Sequence, residues 1–224
     1  MRVPLTSYGR GEILSGSLLF LAAMGMSLLL YWPATILLAV LWAAMLAFFR
    51  DPERHVESSP DDVLSPADGS IRDVVEVEDL PFLDGPALRI GIFMSVLDVH
   101  VNRSPAVAAV RWKSYRPGAF HDARSERCVA ENERTLLGLE LEDGRRMLLS
   151  QIAGVIARRI VCRPSVGDVL QKGQRFGMVK FGSRVELCLP LADQYEVLVR
   201  PGDRVRAGKT VVATWSGQRV ASTE

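Results

Sequence analysis

Charge of one sign is the first thing this sequence lacks. Its 27 Lys and Arg against 26 Asp and Glu leave a formal net charge of +1 at pH 7, so the whole chain shows no electrostatic footprint for nucleic acid. Cysteine is scarce: Cys128, Cys162 and Cys188 are an odd number without paired metal-ligand spacing. That argues against a disulfide framework and reads as reduced, mostly buried thiols in a domain facing the cytosol. The His-x-His cluster of a β-sandwich metallopeptidase is missing, because His100-Val101-Asn102 breaks it, and no metal is expected. Two stretches lack charge altogether, Ile13 to Trp32 and Pro33 to Phe49. After residue 60 no long amphipathic helix is evident.

The two uncharged stretches hold most of the chain's hydropathy. As helices they would run roughly 30 Å and 25 Å, about the thickness of a bilayer core. Pro33 falls at the natural break between them. Two forms fit, a tight membrane hairpin or a shallow re-entrant insertion of two kinked helices. Arg2 and Arg10 precede the block while Arg50 and Arg54 follow it, which places both ends in the cytoplasm at the inner membrane. A cleaved signal peptide fits poorly, since a second apolar run follows directly with no small-residue cleavage site between. The predicted organisation is a membrane-associated helical hairpin over 1–49, a polar linker over 50–63 and a β-rich domain over 64–224. His55 reads as a solvated linker histidine.

Short alternating runs punctuated by Gly, Pro and Asp fill the rest. Val63-Leu64, Ser70 to Val77, Leu88 to Met94, Asp98 to Asn102, Ala106 to Trp112, Leu136 to Leu141 and Arg146 to Ile152 read as strands. So do Ile156 to Cys162, Phe176 to Phe181, Arg184 to Leu189 and Gln194 to Val199. The expectation is a mainly β fold, a sandwich or barrel-sandwich. An internal echo supports it: Val166-Gly167-Asp168-Val169-Leu170-Gln171-Lys172-Gly173-Gln174 resembles Pro201-Gly202-Asp203-Arg204-Val205-Arg206-Ala207-Gly208-Lys209. Both read as turn, short strand and turn, a pattern that recurs in modules carrying biotin or lipoate.

One junction carries chemistry. In Phe176-Gly177-Met178-Val179-Lys180-Phe181-Gly182-Ser183-Arg184-Val185 a Gly-Ser pair joins two apolar runs. Glycine leaves its carbonyl unshielded, and a serine oxygen over that carbonyl could turn the amide into an ester. By itself such a pair reads as a bulge or a turn.

Five stretches in register change that reading. Phe48-Phe49-Arg50-Asp51-Pro52-Glu53-Arg54, Ser65-Pro66-Ala67-Asp68-Gly69, Asn132-Glu133-Arg134, Gln151-Ile152-Ala153-Gly154 with Ala157-Arg158-Arg159-Ile160, and Gly177 to Arg184 together resemble the phosphatidylserine decarboxylase family. The likeness is to its short bacterial and archaeal branch and covers residues 45–215. It implies a proenzyme in which Ser183 attacks the Gly182 carbonyl, splitting the chain into a β chain of 1–182 and an α chain of 183–224 that stay associated. Ser183 would become a covalent pyruvoyl cofactor. Its ketone would form a Schiff base with phosphatidylserine in the membrane and act as electron sink for decarboxylation to phosphatidylethanolamine.

Serine needs a base. His100, between Asp98 and Asn102, is the leading candidate, and Asp68 matches the carboxylate of the Asp-His-Ser relay in longer family members. Those members carry a second histidine three residues on, where this chain has Arg103, so His100 is also a candidate for protonating the product carbanion. His121, a loop histidine before Asp122, stands in reserve as base and substrate contact. Arg158, Arg159, Lys180 and Arg184 are candidate partners of the head-group phosphate. A homo-oligomer is left open. The rival reading is a non-catalytic, membrane-anchored biotinyl- or lipoyl-like carrier or adaptor, which needs a lysine at an exposed hairpin tip; Lys180 before Phe-Gly-Ser matches poorly.

Overall fold

The computed structural model describes residues 5–155, 159–180 and 183–217. The chain divides into two units, Met1–Glu53 and Arg54–Glu224. The first is helical, with α1 (Arg10–Leu30) and α2 (Pro33–Phe48). Pro33 opens α2 at a position where its missing N–H is no loss. The helices fold back on each other. Leu5 bridges Arg50, Trp42 Nε1 donates to Ser17 Oγ at 3.0 Å, and the Ser27 and Thr35 hydroxyls meet at 2.6 Å. Leu18, Leu29 and Ile36 stay exposed, an apolar surface of the kind that marks a lipid or protein contact. The helical run Ser7–Leu30 is long and apolar enough to cross a membrane, whereas α2 reaches only about 24 Å.

The second unit is built of strands: β1 (Asp62–Leu64), β2 (Gly69–Val77), β3 (Ala87–Met94), β4 (Val101–Arg103), β5 (Ala108–Arg116), β6 (Arg134–Glu140), β7 (Arg146–Ile152), β8 (Ile160–Cys162), β9 (Val169–Leu170), β10 (Arg175–Val179), β11 (Ser183–Pro190), β12 (Tyr195–Val197), β13 (Arg204–Val205) and β14 (Val211–Trp215). A short helix, α3 (Glu126–Glu131), interrupts them. The large curled sheet runs β13-β2-β3-β11-β7-β6-β5-β9, and two smaller ones run β1-β14-β12 and β4-β10-β8.

Every residue of β11 is buried, so both of its faces are covered. Val185, Leu187 and Leu189 join Ile90, Ile92, Leu137, Leu149 and Phe176 in the main core between the sheets. The alternate residues point to the opposite face, where Cys188 packs with Leu83, Ala87, Leu136 and Leu148. This is the period-2 alternation expected of a strand.

The internal echo takes up equivalent places. β9 pairs with β5 at one end of the large sheet and β13 with β2 at the other. The turns before them match: Gly167 and Gly202 have φ of 100° and 99°, and Asp168 and Asp203 each accept from a backbone N–H three residues back at 2.9 Å. Positive φ explains the glycine and the side-chain cap explains the aspartate.

Several expected strands are shorter than the pattern suggested, among them Gln194 to Val199, of which Tyr195–Val197 forms β12. Asp98 lies in a turn before β4, its carboxylate capping Ser95 N–H and pairing with Arg204. Of the run from Ile156 to Cys162, residues 160–162 form β8 and 156–158 lie outside the described residues.

Leu187 is 0% exposed at the centre of β11. Leu187→Ala should lower the unfolding free energy of the full chain by about 2–5 kcal/mol, read from denaturant titration in detergent.

Candidate active site

Ser183 opens β11, is 0% exposed and stands opposite Met94 of β3. Side chains alternate along a strand, so Ser183 turns into the space between the sheets and Arg184 turns away from it. The Ser183 hydroxyl donates to Met94 Sδ at 3.3 Å. A thioether is a weak acceptor, so this oxygen is lightly held. Gly182 and Arg158 lie outside the described residues.

Two buried amides share this space. Asn102 comes from β4, and its Nδ2 lies 3.9 Å from the same Met94 sulfur. Gln151 comes from β7 and donates from Nε2 to Asn102 Oδ1 at 2.8 Å and to the Val161 carbonyl at 3.4 Å. Gly177 of β10 makes the room, since a Cβ there would collide with the Gln151 amide and the Val161 carbonyl. Gln151 Oε1 is buried with no hydrogen-bond partner, a condition that costs about 1–3 kcal/mol. The sequence reading passed over Met94, Asn102 and Gln151 as site residues. The available signal was a glutamine at an inward position of an otherwise apolar strand.

His100 is 0% exposed on the run into β4, two residues before Asn102. Its Nδ1 lies 2.9 Å from the Asp98 carbonyl. A carbonyl only accepts, so Nδ1 carries the proton and Nε2 is the basic nitrogen of the neutral ring. Asp68 is also buried, but its carboxylate is taken up elsewhere. Arg54 grips both oxygens at 2.6 and 2.8 Å, and the Ala207 N–H donates to Oδ1 at 2.8 Å. Among the described residues these contacts, rather than a bond to His100, account for Asp68. Arg103 donates to the Gly173 carbonyl at 3.1 Å, and a guanidinium cannot serve as a base.

Arg184 lies across the sheet from this chemistry. It pairs with Asp73 at 2.7 Å and Glu186 at 2.8 Å, with Arg89 completing the cluster. Burial works against its charge, and Glu186 and Asp73 more than offset that, holding its pKa above the ordinary value. His121 bonds Glu131 at 2.8 Å. Lys180 ends the run of β10 at 4% exposure, and its backbone N–H donates to the Arg159 carbonyl at 3.2 Å. A carrier lysine has to be reachable at a hairpin tip, which Lys180 is not. Among the described residues no three His, Cys, Asp or Glu side chains cluster so as to hold a metal ion.

A buried serine at the head of a central strand, with an amide pair against the same methionine sulfur, sets this chain among mainly β proteins that carry a polar pocket in the core. Within that class, the chain belongs to the phosphatidylserine decarboxylase family, whose model matches residues 41–213. It is 49% identical over 197 residues to a phosphatidylserine decarboxylase proenzyme of Symbiobacterium thermophilum, covering 88% of this chain and 90% of that one. The Magnetococcus marinus proenzyme of the same name is 42% identical over 88% of this chain and 89% of its own. For that of Chlorobium luteolum the figures are 40%, 94% and 100%.

None of the three thiols is activated as a nucleophile. Burial pushes the Cys128 and Cys162 thiols up to about 11, and Cys188 higher still, so at neutral pH all three stay protonated. The native protein should therefore resist alkylation at pH 7.5, with half-buried Cys162 first to react as the pH is raised, and all three should label at once in denaturant. Mass spectrometry of labelled peptides reads the order.

Proposed function

We propose that this chain cuts itself between Gly182 and Ser183 and then decarboxylates phosphatidylserine to phosphatidylethanolamine on a pyruvoyl group derived from Ser183. The observation that carries this reading is the burial of Ser183 at the start of a strand paired on both sides, with its hydroxyl on nothing stronger than a sulfur. Ser183 Oγ loses its proton to a base, bonds to the Gly182 carbonyl carbon and displaces the amide nitrogen, which takes up a proton. A base then takes the Ser183 Cα proton as the Cβ–Oγ bond breaks, leaving a carboxylate on Gly182 and a dehydroalanine at 183. Water hydrolyses the latter's imine tautomer and ammonia departs.

The surroundings suit a carbonyl at residue 183, because the donor side of the Asn102 amide faces only a sulfur. A pyruvoyl group at residue 183 would supply the sink for the electrons left by CO2. The protein's own part is to exclude water and handle protons. His100 Nε2 is the group for that work, as base in the cut and proton donor afterwards. Asp68, held by Arg54, secures the turn leading into β2. Lys180 and Arg159, brought together at the end of β10 by the bond from the Lys180 N–H to the Arg159 carbonyl, are the best candidates for the phosphate.

The substrate is a lipid, and the turn between Met94 and His100 is shaped for one. Asp98 and Arg204 brace it, and it exposes Val96 and, at 84%, Leu97. In this reading the turn meets the membrane, the helical hairpin anchors the chain at the inner membrane, and the β domain faces the cytoplasm.

Denaturing electrophoresis with intact-mass measurement tests the central claim. The 24.7 kDa chain should split before Ser183, the smaller piece should start with a blocked terminus, and both should co-purify under native conditions. Ser183→Ala should stay whole, and His100→Ala should cleave at least about 100-fold more slowly. A wild type that remains one piece ends the reading.

Leu97→Glu should cleave itself normally yet lose most decarboxylation of phosphatidylserine in vesicles while keeping it on detergent-dispersed substrate. Equal losses on both would place the turn away from the lipid.

A further inference from the structure

The Asn102–Gln151 pair is a costly arrangement to keep inside a sandwich core. Both residues are almost wholly buried. Among the described residues Gln151 Oε1 has no partner, and Asn102 Nδ2 has only a sulfur 3.9 Å away. An apolar pair at this place would leave no side-chain polar atom to satisfy.

The hydrogen bonds fix which way each amide points. The Val161 carbonyl can only accept, so the end of Gln151 that approaches it is the nitrogen. That nitrogen also meets Asn102, so the Asn102 atom it meets is the oxygen. The Asn102 nitrogen is thereby turned toward Met94, the residue on whose sulfur the Ser183 hydroxyl rests. A backbone carbonyl of β8 thus sets, through two side chains, the direction of a donor aimed at the place of reaction. Met94 is unbranched and readily changes rotamer, and its sulfur is the atom that the amide nitrogen and the hydroxyl both approach.

We propose that Asn102 is a catalytic residue of the self-cleavage, donating from Nδ2 to Ser183 Oγ as that oxygen gains negative charge, with Gln151 as the residue that positions it. The inference rests on the reading that the chain cuts itself before Ser183. Asn102 gives up no proton. The Ser183 proton goes to the base, the new bond forms between Oγ and the Gly182 carbonyl carbon, and the amide nitrogen leaves protonated. A prealigned donor in a site closed to water holds the developing alkoxide without reorganising at the moment of reaction. The pattern also explains the weak grip on Ser183 beforehand, since a strong acceptor would hold the hydroxyl in place.

The test follows cleavage of freshly purified full-length chain over time on denaturing gels, with thermal unfolding as a check on folding. Asn102→Leu keeps the volume and removes the donor; its cleavage should slow by about 100-fold or more while it still unfolds in one transition. Hydroxylamine, which severs esters, should not restore the rate, because the ester itself fails to form. If folded Asn102→Leu cleaves within threefold of wild type, or if hydroxylamine brings it back to the wild-type rate, Asn102 does not act in this step. Should Asn102→Leu not fold, Gln151→Met decides: a folded variant slowed about tenfold supports the positioning chain, and one at the wild-type rate overturns it. A wild type that stays whole removes the wider reading as well, whereas a cutting wild type beside an equally fast Asn102→Leu removes only the role of Asn102.

Discussion

Backbone pairing on both sides of β11 is the constraint on which the rest of this molecule depends. Eight consecutive residues, Ser183 to Pro190, lie in register with β3, and five of them, Arg184 to Cys188, also with β7. A strand held in this way does not need the covalent bond at its start to stay in place. Under the proposed cut the new terminus remains where folding put it, since its hydrogen bonds run sideways to neighbours rather than back along the chain. A cofactor made from such a terminus is as rigid as the sheet, which is what positioning a reactive group requires.

The same strand shows how the register is held. Shifting β11 by one residue would turn Arg184 and Glu186 into the apolar core and bring Val185 and Leu187 out among charges. The ion cluster of Arg184, Asp73, Glu186 and Arg89 therefore acts as a lock on the far face. Its value lies more in specificity than in stability, because buried ion pairs recover little beyond their desolvation cost. Having Arg184 next to Ser183 in sequence and opposite it in space is a direct consequence of the pleat. The Arg184 charge takes part in this lock through Asp73 and Glu186.

Much of this architecture was legible in the sequence, for identifiable reasons. Strand alternation, turn glycines and the charge-free N-terminal stretches are local signals, and the mainly β fold with an apolar helical segment follows from them. The edges of the large sheet were foreshadowed by the echo around Gly167 and Gly202, because one local turn chemistry solves the same problem twice. What could not be read was lateral. Nothing near Asp68 announces that Arg54 will grip it, and the spacing of His100 to Asn102 looked like strand until Asp98 proved to be capping a turn. The amide pair was invisible for the same reason. Asn102 and Gln151 are 49 residues apart, and only the crossing of two sheets, with Gly177 leaving the gap, brings them together.

The proposed cut would give the absences noted in the sequence a common cause. A decarboxylase needs an electron sink, and most ways of holding one leave a trace, such as a metal-ligand cluster or a reachable lysine. Chemistry drawn from the main chain leaves only a glycine, a serine and a buried polar patch. It also sets opposing demands on the core, which has to be tight enough to keep both pieces together and loose enough at one hydroxyl for that oxygen to move. The weak Ser183–Met94 contact, inside otherwise well-paired strands, is where the two demands meet. Local under-satisfaction of this kind is tolerable because the surrounding sheet over-determines the geometry.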